Sequence, residues 1–212
     1  MSCLDQLERA LDATDRPDPV LRALITRYDR GRLVDQARAA DRAWQDGQWL
    51  GPLQGVTVVL KDNIDTAGVR TTAGAEFLRD RIPTADATVV SRLVRAGAIL
   101  VGKANMTELA FGVHSRSAVG GQCCNPWDPT RIPGGSSGGS AVALATGMCA
   151  LAEGSDHGGS LRNPASYCNV VGFRVSAGRI PAYPSPWVYD PFSVHGPMAL
   201  SLIHISEPTR PY

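Results

Sequence analysis

The chain has 212 residues, 43% hydrophobic and 19% charged, which allows a sizeable core and excludes wholesale disorder. Its 21 basic residues nearly balance 20 acidic ones, leaving a net charge of +1 and no basic excess to support nucleic-acid or anionic-membrane binding. The longest mostly apolar stretch, Ala141 to Ala152, has 12 residues and is too short to span a bilayer; the charged start MSCLDQLERALD lacks the apolar segment of a secretory signal. A soluble cytoplasmic protein is expected, with no membrane partner and no direct nucleic-acid partner.

Leu4, Leu7 and Leu11 fall at helical spacing and predict a short amphipathic helix broken at Pro17 and Pro19. Leu24 to Tyr28 fits a strand or a helical turn equally well. Leu33, Ala37, Ala40 and Trp44 recur at helical spacing before Gly47, predicting a helix over 32–46. Val56 to Leu60 (VTVVL) reads as a buried strand with Lys61 at its C-terminal end. Asp86 is placed to cap a helix carrying Val89, Val90, Leu93 and Val94; Ile99 to Val101 then makes a second buried strand. This strand–helix–strand order indicates α/β architecture.

From residue 112 the texture changes. The segment 125–133 (NPWDPTRIP) holds three prolines, which excludes a regular element. GGSSGG (134–139) follows, then a small-residue helix from Ser140 to about Cys149 and a short strand, ALAEGS. Next come Asp156-His157-Gly158-Gly159-Ser160 and a helix start at Leu161. Eight glycines lie among the 27 residues 134–160, about 30% against an average near 7%. Glycine at that density points to close backbone approach, positive φ angles or a ligand cradle.

Three chemistries compete for these clusters. A phosphate cradle would need the Gly-Lys-Ser/Thr of the Walker pattern, and this loop has no lysine. A nucleophile elbow matches GGSSG and GSSGG, but it must follow a strand and would take Asp190 and His195 or His204 as partners. The third reading joins Lys61 to both Gly-Ser clusters: a hydroxyl at a Gly-rich helix start, with backbone donors beside it and lysine as proton acceptor. Of the 21 basic residues 19 are arginine, so Lys61 and Lys103 are the two places for a lysine base. The five cysteines (Cys3, Cys123, Cys124, Cys149, Cys168) are odd in number and show no CxxC spacing, so reduced thiols are expected, with no metal and no cofactor.

GPLQGVTVVLKDNID (51–65), NPWDPTRIPGGSSGGSA (125–141) and GSDHGGSLRNPASYCNVVGFR (154–174) together resemble the amidase signature family, in its motif order and at compatible separations. The resemblance runs from about residue 20 to about 200. It implies an α/β fold, a mixed β-sheet flanked by helices on both faces, present here as an incomplete domain. It also implies a Ser-cisSer-Lys triad: Lys61 as general base, Ser136 as the bridging serine after a cis Gly135–Ser136 bond, and Ser160 as the acyl-forming nucleophile. The N–H groups of His157, Gly158, Gly159 and Ser160 would form the oxyanion hole, with Ser137, Asp156 and Arg162 in support. For a lysine to act as a base its pKa must fall by about 3 units, roughly 4 kcal/mol, which burial can supply.

The implied activity is an amidohydrolase that cleaves a carboxamide of a small-molecule substrate to a carboxylate plus ammonia or amine. The alternatives are the glutaminase component of a tRNA-dependent amidotransferase, or an inactive fragment. A homodimer is compatible with the full-length form. Ser137 is either a partner of Lys61 or a turn hydroxyl, while Asp62 and Asn63 read as holding the strand exit rather than touching substrate. Trp127 and Trp187 fit a pocket wall or a core cover, and Cys123 and Cys124 replace an expected polar pair. Residues 1–200 are expected to be the N-terminal part of one domain. The last 12 residues, SLIHISEPTRPY, lack helical periodicity and read as a non-native tail.

Overall fold

The β-branched run around Val58 and Val59 becomes the middle of a six-stranded mixed sheet in the computed structural model, which describes residues 1–185 and 190–203. In chain order the elements begin with α1 (Cys3–Asp15), α2 (Asp18–Leu21), β1 (Leu24–Arg27), α3 (Arg30–Gln45), β2 (Thr57–Lys61), α4 (Thr88–Arg95) and β3 (Ile99–Ala104). There follow the small hairpin β4 (Arg116–Ser117) and β5 (Gly121–Gln122), then α5 (Gly138–Ala145), β6 (Leu151–Asp156), α6 (Arg162–Cys168), β7 (Val171–Gly172) and β8 (Val194–Ala199). The sheet order is β1-β3-β2-β6-β8-β7. Its centre, β3-β2-β6, is parallel, and the outer strands β1, β8 and β7 pair antiparallel.

Both faces of the sheet are covered. On one, Val59, Ile99, Val101 and Met198 pack with Leu7, Leu33, Ala37 and Val142 from α1, α3 and α5. On the other, Val58, Leu60 and Leu100 meet Val90 of α4. Parallel central strands buried on both sides need near-continuous apolar sequence, which VTVVL supplies, with the Thr57 hydroxyl accepting the Ala150 N–H at 3.1 Å. A β-bulge between Val58 and Val59 shifts the β2–β3 register, pairing Leu60 with Lys103 and Lys61 with Ala104. The two lysines, one residue out of step, therefore leave the sheet on opposite faces.

Three local expectations change. Asp86 does not cap α4; its Oδ1 accepts the Ala67 N–H at 2.7 Å, and the N-cap is Ala87 without a side-chain bond. Trp44 is 64% exposed, tilted against Trp49 at 6.1 Å, because Ala43 takes the buried position on α3. The small-residue helix starts at Gly138 and ends at Ala145, earlier than expected at both ends. Leu24–Arg27 resolves as a strand on β3. Trp187, His204 and residues 204–212 of the proposed 201–212 tail lie outside the described residues.

Candidate active site

Lys61 is the last residue of β2 and is fully buried. Its Nζ donates to Ser136 Oγ at 2.7 Å and to Ser155 Oγ at 2.8 Å. Asn63 Nδ2 donates to the same Ser155 hydroxyl at 3.2 Å, so Asn63 joins the lysine network rather than only holding the strand exit. Burial pulls the Lys61 ammonium down to about 7, against the charges of Glu153 and Asp156, which favour the proton. Lys103 is also lowered by burial, to about 8, but it sits across the sheet. There its Nζ donates to the Ile64 carbonyl, Thr66 Oγ1 and Thr71 Oγ1, pinning the loop after β2.

Ser136 follows a cis peptide bond from Gly135 and is itself fully buried. A ring of polar contacts fixes this loop. Ser115 Oγ donates to the Gly134 carbonyl at 2.8 Å and accepts the Gly138 N–H at 2.9 Å; the Thr107 N–H reaches the Ser136 carbonyl at 3.2 Å; Asn163 Oδ1 accepts the Gly135 N–H at 3.2 Å. Gly139 is needed for close approach: a Cβ there would lie 2.4 Å from the Ala23 and Asn105 carbonyl oxygens. No hydrogen bond joins Ser137 to Lys61. Its hydroxyl donates to the Ser155 carbonyl at 3.2 Å and accepts the Ser155 N–H at 3.3 Å, clamping the loop to the end of β6. Replacing Ser115 with alanine leaves buried Gly138 N–H and Gly134 C=O groups unpaired, so a loss of about 1–3 kcal/mol is expected in denaturant unfolding.

The third segment turns off the end of β6. Asp156, buried to 0% exposure, accepts N–H groups from Gly159 at 2.9 Å and Leu161 at 3.1 Å, and the Arg162 guanidinium at 3.0 and 3.1 Å. Burial acts to raise the Asp156 carboxyl, but Arg162 and the two N–H donors outweigh it and hold it well below the usual carboxylate range. Gly159 has φ +116°, a backbone region that favours glycine. The Gly159 N–H, one of the expected oxyanion donors, is bonded to Asp156 Oδ1. The N–H groups of His157, Gly158 and Ser160 meet no acceptor among the described residues. The Ser160 carbonyl accepts the Ser137 N–H at 3.2 Å, which brings Ser160 beside the cis loop, and the Ser160 hydroxyl makes no hydrogen bond among the described residues.

The elbow-type triad is not assembled among the described residues, and His204 lies outside them. His195 Nδ1 lies 2.7 Å from Glu153 Oε1, and Asp190 Oδ1 accepts the Phe192 and Ser193 N–H groups. All five cysteines are free, and burial raises the Cys149 and Cys168 thiols to about 12 and Cys123 well above the ordinary value. Trp127 Nε1 donates to the Cys168 carbonyl at 3.0 Å, with the ring largely exposed over the end of α6. Among the described residues no cluster of metal-ligating side chains occurs and no helix is long and apolar enough to cross a membrane.

The amidase family model matches residues 5–208. The chain belongs to the amidase family. It is 46% identical over 174 residues to the A component of the glutamyl-tRNA(Gln) amidotransferase of Synechococcus sp. (strain RCC307), covering 82% of this chain and 36% of the relative. Among solved structures it superposes on the peptide amidase of Stenotrophomonas maltophilia with a TM-score of 0.86 at 34% identity, covering 95% of this chain and 42% of that one. The corresponding glutamyl-tRNA(Gln) amidotransferase component of Thermotoga maritima gives a TM-score of 0.74 at 33% identity, covering 94% and 43%. The chain thus spans less than half the length of these amidase-family relatives.

Ser155, Ser115, Asn163 and Arg174 escaped the sequence reading. Ser155 sits inside the GSD motif and had a signal, a hydroxyl one residue before Asp156. The others lie far from their partners along the chain, and nothing local marks them. Ser155→Ala removes one of the two hydroxyls on Lys61, so phosphonylation by a fluorophosphonate probe is expected to slow on the order of tenfold, with Ser155→Thr near normal. Equal rates in all three proteins would leave Ser155 without a part in the site.

Proposed function

We propose that this chain carries the acyl-transfer centre of an amidohydrolase that cleaves a small carboxamide to a carboxylate plus ammonia or amine. One observation carries the reading: a fully buried lysine with its pKa lowered to about 7 lies 2.7 Å from a buried serine hydroxyl, beside a second serine, Ser160, whose own N–H and those of His157 and Gly158 have no acceptor among the described residues. Ser160 Oγ attacks the carbonyl carbon, and its proton passes through Ser136 to neutral Lys61. The oxyanion is held by the N–H groups of His157, Gly158 and Ser160. Lys61 returns the proton through Ser136 to the leaving nitrogen, the C–N bond breaks, and water then releases the acid from Ser160. The unbonded Ser160 hydroxyl must turn toward Ser136 for the first step, a tightening that substrate binding often supplies.

A fluorophosphonate probe tests this directly. Mass spectrometry should find the adduct on Ser160, and a probe-inert chain would mark a non-catalytic piece. The amidotransferase relative at 46% identity favours a second reading, a glutaminase that works with partner proteins. Ammonia release from glutamine that depends on added partner proteins and ATP would select it over a free-standing amidase.

A further inference from the structure

Asp156 is held by two arginines, and the two ties differ in kind. Arg162 lies in the same turn, six residues along, so its bonds close the loop on itself. Arg174 lies 18 residues away, just beyond β7. Its Nη1 donates to the Asp156 carbonyl and, at 3.0 Å, to Asp156 Oδ1. Its Nη2 donates at 2.9 Å to the Phe192 carbonyl. Phe192 belongs to the turn 190–193 that leads into β8, a turn closed by Asp190 Oδ1 on the Phe192 and Ser193 N–H groups. The same turn meets the loop from its other side: Ser193 Oγ is 2.8 Å from His157 Nδ1, and the Phe192 ring lies 5.8 Å from the His157 ring.

A loop closed only on itself moves as a unit, and Gly158 and Gly159 give it little backbone stiffness of its own. Ser136 and Lys61 stand on other elements; the Ser137 N–H to Ser160 carbonyl bond ties the far end of the loop to the cis loop, and its start at Asp156 needs a tie of its own. We propose that Arg174 is a positioning residue for the oxyanion loop, fixing Asp156, and through it the N–H groups of residues 157–160, against the turn 190–193. The proposal rests on the acyl-transfer reading. Misplacing donors by about 1 Å can cost on the order of a hundredfold in rate, so the tie bears on catalysis without touching substrate.

The test compares the chain with Arg174→Met and Arg174→Lys by amide hydrogen exchange and by the rate of phosphonate labelling at Ser160. In Arg174→Met the Gly159 and Leu161 amides, both bonded to Asp156, should exchange faster while β2 and β3 keep their protection. Labelling should slow on the order of tenfold or more, with the maximal rate falling and half-saturation by probe nearly unchanged. Arg174→Lys should recover part of both effects, since one ammonium can reach Asp156 but cannot also bridge to Phe192. Unchanged exchange at Gly159 and Leu161, or a loss of protection spread evenly over the sheet in both variants, would overturn the proposal. Absence of labelling in the unsubstituted chain would strike instead at the acyl-transfer reading, and the exchange pattern would still decide the tie.

Discussion

Replacing Lys61 with methionine should raise thermal stability at about pH 6 while abolishing acylation of Ser160. Burial lowers the Lys61 pKa from 10.5 to about 7 in the folded chain. Below about pH 7 both folded and unfolded chains carry the charge, and the folded one holds it out of water at a cost of about 5 kcal/mol. Between about 7 and 10.5 the folded chain has released the proton and the unfolded chain still binds it, so stability rises with pH across that window. Methionine removes the charge and nearly keeps the volume. Its advantage should be full below about pH 7 and shrink toward 10.5. Melting curves at several pH values check this, and a methionine variant that melts below the parent at about pH 6 would contradict it. The acylation rate of the parent should climb with pH through about 7, as Lys61 becomes neutral. Lys61→Arg should be as inactive as the methionine variant, because arginine keeps its proton, and less stable than the parent.

The second large effect separates the two serines. Ser160→Ala is expected to remove the phosphonate adduct altogether, since the bonded atom is gone. Ser136→Ala should leave a slow but measurable reaction, reduced on the order of 10²–10⁴-fold, the span associated with positioned proton transfer. The structure favours this order of severity. Ser136 Oγ is buried and bonded to Lys61 at 2.7 Å, as a relay requires, whereas Ser160 is partly exposed and its own N–H and those of His157 and Gly158 meet no acceptor among the described residues. Lys61 also keeps its contact with Ser155 when Ser136 is cut back. An adduct trapped on Ser136 in the parent chain would reverse the assignment.

The sequence by itself determined the parts whose cause is local. The VTVVL run makes a strand buried on both faces because its β-branched residues suit little else, the one polar group, the Thr57 hydroxyl, accepts the Ala150 N–H, and Lys61 ends the strand. The glycine clusters announced close approach and positive φ, and Gly139 and Gly159 answer to those two demands. The three motifs, taken together, identified the amidase family. Only the tertiary structure decided which groups share a hydrogen bond across long separations. Lys61 bonds Ser155 while Ser137 turns its hydroxyl to the β6 backbone, and Gly154 leaves room for it, since a Cβ there would come within 2.8 Å of Ser137 Oγ. Asp86 and Asp156 are both aspartates beside helix starts, yet one is drawn to Ala67 and the other gathers two arginines and the N–H groups of Gly159 and Leu161. Capping preference states what an aspartate can accept; the donors that reach it first are fixed by the fold.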